Sequence, residues 1–415
     1  MPQEYSTTEN VSSGGSGNAN TTRGERRNSA SGQGYAAQAA SLSPSARRPQ
    51  ATPPAAVSAS TGWSTVVRRN FSAWDSNSDG YLGHGEVNTL LGSPAIRGED
   101  AAALASLQTY IDGLEESSND EYGDENDGVT LADLTAYERG TAANTNGEDT
   151  KHVDGRHGMG VANIAAADQV KRRHGGAQAT RHSTELFPNG TPTLSELRQG
   201  SMGDCYFLAA LGSMIARNAQ DVVDMVTRNV TRGAVTGYTV VWPGDLATVT
   251  VSSPTDSEIA RFSTAGADGL WLPILEKAYA QARAGRTVNA GTEIGDGGAL
   301  SEGIDPLSAN GTDSDDLWAT SLSTTRTKLT AAFGPNRKIV TGNLSDEDND
   351  LHLPGGHAYS VIGWDGTWMT LRNPWGSTPA NVPAKATGFQ KLTGGQFKMT
   401  LSKFDDVFFQ IAYAE

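Results

Sequence analysis

Cysteine is almost missing from this chain: Cys205 is the one cysteine in 415 residues. A lone thiol excludes an intrachain disulfide framework and a cysteine-rich metal cluster. Aromatic residues are scarce at 7%, and hydrophobic residues of all kinds reach only 37%. So lean a supply cannot fill one core from end to end, and the apolar side chains must be concentrated in parts of the chain. No apolar run approaches the roughly 18 residues of a membrane helix, so no membrane span is expected. Basic charge is also short, with 32 Lys and Arg against 47 Asp and Glu and a net charge of −15. That balance excludes nucleic acid or anionic lipid held by a general positive field. The opening residues, MPQEYSTTENVSSGG, lack the basic and apolar stretches of a secretory signal.

What is present is unevenly distributed. At about 150 residues per domain the length predicts two or three folded units. Residues 1–61 are Ser, Gly, Ala, Thr, Asn and Pro with almost no large apolar side chain, and they predict a disordered polar tail. Trp63, Val67, Phe71 and Trp74 then recur at helical spacing, followed by Val87, Leu90 and Leu91. A third stripe runs through Leu104, Leu107, Ile111 and Leu114, and a fourth through Leu131, Leu134 and Tyr137. Four helices are therefore expected in a small α domain over 62–140. The pattern fails again over 141–184, which holds His152, His157, His174 and His182 without regular spacing and predicts a flexible linker open to cleavage.

From about 185 the texture is that of a globular enzyme. A helix is predicted from Cys205 through Leu208, Leu211 and Ile215, and another through Trp271, Leu275 and Ala278. Strands are predicted at Tyr238–Trp242, Ala247–Val251, Ile339–Val340, His357–Trp364, Trp368–Arg372 and Val407–Ile411. A helical half over 185–293 followed by a β-rich half over 294–415 gives an α+β fold class.

The first chemical motif is a calcium loop. Asp75-Ser76-Asn77-Ser78-Asp79-Gly80-Tyr81-Leu82-Gly83-His84-Gly85-Glu86 fits the EF-hand pattern at each informative position. Calcium takes hard oxygen ligands, and Asp75, Asn77, Asp79, the Tyr81 carbonyl and a two-oxygen Glu86 would supply them, while Gly80 permits the sharp turn. Leu82 is expected to form a short β-bridge with a second loop. The candidate for that loop, Asp124, Asn126, Asp127 and Gly128 ahead of Asp133, is one residue short and ends without Glu. An acidic, solvated loop is the reading favoured there.

The second motif surrounds the thiol. Gln199-Gly-Ser-Met-Gly-Asp-Cys205 feeds a glycine-bearing turn into an apolar helix, so the sulfur sits at a helix N-terminus, where unpaired N–H groups and the dipole favour thiolate. The amide of Gln199 is positioned to donate to an oxyanion beside the Cys205 N–H. A thiolate nucleophile needs an imidazole to form an ion pair and to protonate the leaving amine. Gly355-Gly356-His357 supplies the ring, and Arg372-Asn373-Pro374-Trp375-Gly376 supplies an amide to orient it. Trp375 is expected to shield the Asn–His bond from water.

Four segments resemble the calpain family of papain-like cysteine proteases: Gln199 with the GDCYFLAAL run around Cys205, Leu275-Glu-Lys-Ala-Tyr-Ala280, Gly356-His-Ala-Tyr-Ser-Val361 and Arg372-Asn-Pro-Trp-Gly376. Together they cover about 186–415. The resemblance implies a two-subdomain protease core, with Cys205 as nucleophile on one part and His357 as acid/base and Asn373 as orienter on the other. It also implies Gln199 as oxyanion donor. The chain departs from the family in carrying Tyr206 where Trp is usual, which is expected to alter the shape beside the cleft. An EF-hand unit precedes the core, and the family's usual C-terminal β-sandwich and EF-hand domains are not expected in the short stretch after it. Asp346-Glu-Asp-Asn-Asp350 is weighed as a further calcium candidate, with a solvated loop favoured.

A parity argument constrains the strands. If Asp365-Gly366 formed a two-residue turn, His357 and Asn373 would project from opposite faces. Catalysis needs one face, so a three-residue turn or a β-bulge is predicted between them. The function expected is a calcium-dependent endopeptidase acting on protein or peptide substrates as a cytoplasmic monomer, with self-cleavage in the linker and non-classical export left open. A catalytically inactive calcium-binding scaffold and a cysteine-dependent acyl transferase are the alternatives.

Overall fold

The computed structural model describes residues 62–115, 128–138, 185–285, 294–295, 297–345 and 349–415, all inside one compact unit, Ser31–Glu415. The predicted tail over 1–61, the linker histidines, and Asp124, Asn126 and Asp127 lie outside the described residues.

The front module holds α1 (Trp63–Trp74), α2 (His84–Leu91), α3 (Gly98–Thr109), α4 (Ile111–Glu115) and α5 (Leu131–Glu138). The third predicted stripe therefore makes two helices, because the chain leaves helical geometry at Tyr110 (φ −120°). Trp63, Val66, Val67, Phe71 and Trp74 are all buried and form one core with Leu82, Leu91, Leu104, Leu107 and Val129. The expected bridge is present: Leu82 and Val129 exchange backbone hydrogen bonds of 2.9 and 3.2 Å.

Every residue of α3 from Ala101 to Gln108 is buried. A helix with no wet face must be covered on more than one side, and its alanines allow close approach. On one side lies α1, with Trp63 Nε1 donating to the Ala103 carbonyl at 2.9 Å. The other cover is supplied by the helical half described next.

That half contains α6 (Cys205–Asn218), α7 (Gln220–Met225), β1 (Val226–Thr231), β2 (Ala234–Val240), β3 (Val249–Val251), α8 (Asp256–Arg261), α9 (Trp271–Ala284) and α10 (Leu300–Ile304). The strands form a three-stranded antiparallel sheet in chain order. Trp242, predicted as strand, lies just beyond β2 because the chain turns at Pro243-Gly244. Ile294, Leu300, Ile304 and Leu307 pack in the core of this half, with Tyr206, Phe207 and Trp271. The expected division at 294 thus falls too early: α10 seats against α6 so tightly that a Cβ on Gly303 would lie 2.3 Å from the Tyr206 carbonyl.

The remaining elements are β4 (Thr312–Asp316), α11 (Leu322–Ala332), β5 (Val340–Leu344), β6 (His357–Trp364), β7 (Trp368–Arg372), β8 (Lys385–Ala386), β9 (Phe389–Lys391), β10 (Gln396–Thr400), α12 (Leu401–Val407) and β11 (Gln410–Ala414). Val407 closes a helix and does not open a strand; the Thr400 hydroxyl caps that helix by accepting from Lys403 N–H. All eight strands join one antiparallel sheet in the order β4-β11-β5-β6-β7-β10-β9-β8. A separate core of Tyr359, Val361, Leu371, Phe397, Phe404 and Phe408 fills its other face. Helices and antiparallel sheets in this arrangement make an α+β fold.

Candidate active site

The approach to Cys205 is held by backbone. Arg198 and Thr264 exchange hydrogen bonds of 3.0 and 2.8 Å, Ser201 N–H donates to the Arg261 carbonyl at 3.0 Å, and Gly203 N–H donates to Gly295 O at 2.9 Å. Such close backbone contact requires glycine: a Cβ on Gly200 would fall 2.2 Å from Arg261 O, and one on Gly203 would fall 2.3 Å from Gly295 O. The segment then enters α6, whose first residue is the buried Cys205.

α6 lies along β6 and runs in the same direction. Gly212 sits over Ser360, the Ser213 hydroxyl donates to Val361 O at 3.1 Å, and Arg337 donates to both Ala216 O and Ile362 O. From Gly212 back to Cys205 the helix retreats about 10 Å, and from Ser360 back to His357 the strand retreats about 10 Å. The start of α6 and the start of β6 therefore finish at about one level.

His357 is wholly buried as the first residue of β6. Its Nε2 lies 2.8 Å from Asn373 Oδ1. Because that oxygen only accepts, the neutral ring carries its proton on Nε2 and leaves Nδ1 as the basic nitrogen. Asn373 Oδ1 also accepts from Trp375 N–H at 2.9 Å, which fixes the amide. The Trp375 ring stands 4.7 Å from the His357 ring and Tyr359 stands edge-on at 4.9 Å, so aromatic carbon excludes water as expected. Burial lowers the His357 pKa to about 4, partly opposed by the Asn373 hydrogen bond.

The shared face of His357 and Asn373 comes from a bulge. Trp364 pairs with Met369 and Gly363 with Thr370, but Val361 pairs with Leu371 and Ser360 with Arg372, leaving Ile362 as an extra residue. Carried onward, the register sets His357 against Trp375, so Asn373 shares its face; without Ile362 it would not. The turn differs from expectation. Asp365 Oδ1 accepts from Thr367 N–H (3.0 Å) and Trp368 N–H (2.7 Å), which moves the reversal one residue on to Gly366-Thr367.

Gln199 reaches the same neighbourhood through its backbone, donating to Pro374 O at 3.0 Å. Its side chain is otherwise engaged: Nε2 donates to Met202 O at 2.7 Å and makes a longer contact of 3.4 Å with Asp204 Oδ1. Tyr206 points into the core of the helical half. It is buried against Tyr279, and Arg283 donates to its hydroxyl at 3.3 Å.

The chemistry of the 75–86 loop suits a hard cation. Asp75, Asp79 and Glu86 each offer a carboxylate oxygen within 4.8 Å of the others. Asp75 Oδ1 is buried and accepts no hydrogen bond, as expected of an atom kept for an ion. Asn77 donates to Asp79 Oδ2 at 2.6 Å, and Tyr81 N–H donates to Asp79 Oδ1 at 2.9 Å. Burial raises the Glu86 pKa, but hydrogen bonds from Ser76, Asn77 and Gly83 outweigh it and leave the group below its ordinary value. In the partner loop, Asp133 caps α5 through Thr130, accepting from its N–H and hydroxyl at 2.8 Å. Asp350 forms a 2.5 Å ion pair with Lys403, and residues 346–348 lie outside the described residues.

The sequence reading missed a buried acidic pair beside the thiol, Asp204 and Glu276. One signal for it was available: Glu276 interrupts the apolar stripe of Trp271, Leu272, Leu275 and Tyr279, all buried.

Residues 169–411 match the profile of the calpain family cysteine proteases. Among curated proteins, the calpain-1 catalytic subunit of Sus scrofa is 28% identical over 227 residues, covering 47% of this chain and 30% of that protein. The Mus musculus subunit is 27% identical over 268 residues, covering 54% and 36%. Calpain clp-4 of Caenorhabditis elegans is 27% identical over 203 residues, covering 44% and 27%. The chain thus spans about a third of the length of the curated relatives it matches.

Proposed function

Because the chain belongs to the calpain family of cysteine proteases, we propose that it hydrolyses peptide bonds in protein substrates with Cys205 as nucleophile. The observation that carries this reading is the 2.8 Å bond between His357 and Asn373 on a strand end level with the start of α6. Nδ1 of His357 takes the thiol proton, and the helix N-terminus favours the sulfur anion that remains. The thiolate attacks the substrate carbonyl, and the resulting oxyanion is held by the Cys205 N–H and the Gln199 amide. Gln199 Nε2 gives up its bond to Met202 O for this task. The imidazolium then protonates the leaving amine, and a water deprotonated by the same ring releases the acyl group. Asn373 holds the ring in its tautomer throughout.

Calcium would be held by Asp75, Asn77, Asp79, the Tyr81 carbonyl and Glu86. The ion would supply positive charge that ties the carboxylates of this loop together. The route to the core does not need the linker. Gly98 N–H donates to Asp256 Oδ2 at 3.0 Å, Thr255 Oγ donates to Leu91 O at 2.6 Å, and Thr109 meets Ser201 at 3.3 Å, four residues before Cys205. The test is a peptidase assay of the wild type and Cys205→Ala across a calcium titration ending in chelator. Activity lost in the variant and falling with chelation is expected. Activity retained by Cys205→Ala would remove the nucleophile assignment, and equal rates with and without calcium would remove the regulatory one.

A further inference from the structure

A short extended stretch of chain is bonded to both halves just ahead of the thiol. The N–H and C=O of Arg198 exchange hydrogen bonds with Thr264 in the helical half, at 3.0 and 2.8 Å. In an extended chain the C=O of the residue before and the N–H of the residue after point to the opposite edge. Here that edge faces the β-rich half: Gln199 N–H donates to Pro374 O at 3.0 Å, and Leu197 O accepts from Nη2 of Arg372. A side chain thus does for Leu197 what the N–H of a neighbouring strand does in a sheet.

Arg372 is the last residue of β7. Leu371 beside it packs in the core of the β-rich half, so Arg372 projects from the opposite face, toward Leu197 in the core of the helical half. The arginine is wholly buried. Among the described residues no carboxylate pairs with it, and its Nε and Nη1 have no acceptor. Burial and the neighbouring Arg198 lower its pKa to about 10, so the group is charged at neutral pH. An apolar side chain would fill the same space without the cost of enclosing a charge. What the guanidinium adds is a charged donor with the reach to meet Leu197 O. Gly376 closes over this bond in the left-handed region, at φ +69°: a Cβ there would lie 3.4 Å from Arg372 Nη2 and 3.5 Å from Leu197 O.

We propose that Arg372 is a positioning residue for Gln199: its bond to Leu197 O holds residues 197–199 against the end of β7 and so sets the Gln199 amide relative to Cys205 and His357. The inference rests on reading Gln199 as the oxyanion donor of a cysteine peptidase. Without the guanidinium, the carbonyl of the buried Leu197 loses its donor, and the segment keeps only the bond from Gln199 N–H to Pro374 O on that edge. The edge on Thr264 keeps both of its bonds.

A double-mutant cycle with Gln199 tests this. Arg372→Met should lower kcat by about tenfold with KM changed little, because the loss falls on oxyanion stabilisation and not on substrate binding. In a Gln199→Ala background the same substitution should cost less than about twofold. The full loss in that background, or no loss in the wild-type background, overturns the proposal. Alkylation of Cys205, the single cysteine, by iodoacetamide forms no oxyanion, so its rate should be unchanged in Arg372→Met. A parallel fall would make Arg372 a support of the thiol and imidazole instead, and overturns the proposal too. Amide exchange gives a readout free of activity: in Arg372→Met the Gln199 N–H should exchange at least about tenfold faster, while the Thr264 N–H keeps its wild-type rate. An unchanged rate at Gln199 overturns the hold. Should Arg372→Met not fold, Arg372→Lys, which keeps the charge but not the reach, carries the same comparisons. In the wild type itself a slowly exchanging guanidinium proton on Arg372 is required, and its absence overturns the bond whether or not a variant folds. If exchange changes as expected but Gln199→Ala leaves kcat unaltered, or no form cleaves peptide, the hold on Gln199 stands and the reading of its role falls.

Discussion

At the scale of single residues, burial governs the chemistry. His357 is held with a pKa of about 4 by desolvation, below the value near 6.5 of an exposed imidazole. A basic group lowered on folding favours the native state above its unfolded pKa and loses that contribution as the pH falls through the folded one. The contribution is about 3 kcal/mol, lost between about pH 6.5 and about pH 4. Urea unfolding at the two pH values should show this loss in the wild type and a much smaller one in His357→Gln. Asn373→Ala leaves two donors, His357 Nε2–H and Trp375 N–H, without their acceptor. A loss of at least about tenfold in kcat is expected, with KM changed less, because the ring loses its orientation and not its substrate contacts. The identities of Cys205, His357 and Asn373 were legible because each stands in a short segment whose glycines, proline and tryptophan serve local geometry. Asp204 and Glu276 were not. An Asp ahead of a helix reads as an N-cap, yet Asp204 makes no capping bond. A Glu in a helix reads as solvated until a neighbouring element covers it.

At the scale of elements, one inserted residue decides whether the site exists. Ile362 changes the register of β6 against β7 and with it the face from which His357 projects. Deleting Ile362 should lower kcat/KM by more than about 100-fold, whereas Ile362→Ala, which keeps the residue count, should cost far less. Similar losses in both variants would show that the side chain matters and not the parity. The need for a bulge was legible by counting, since strands alternate with period two. Its place was not, because it depends on how the Asp365 side chain organises the turn and on where Arg337 binds the Ile362 carbonyl. The strand predicted at Val407–Ile411 shows the same limit. A short apolar run fits either period, and the Thr400 cap settled it as a helix up to Val407.

At the scale of the molecule, the described residues form three apolar cores, one in the front module, one in the helical half and one in the β-rich half. The front module meets the helical half through Thr255, Asp256 and Ser201, the last of them four residues before Cys205. Calcium at about 100 times its Kd should add about 2.7 kcal/mol to the stability of the folded chain. Thermal melts with calcium and with chelator should separate accordingly for the wild type and coincide for Asp75→Ala with Glu86→Ala. Melts that separate equally in the double variant would place the ion elsewhere.

The amino-acid order alone determined the thiol, ring and amide, the oxygen-rich loop, the alternation of helical and strand periods, and the demand for an odd residue between His357 and Asn373. Each is local, arising from residues a few positions apart. Only the tertiary structure decided which groups lose their water: the seat of α6 on β6, the burial of Asp204 and Glu276, and the contact of Thr109 with Ser201. Desolvation is a property of what other elements cover, and no window of sequence contains its own cover.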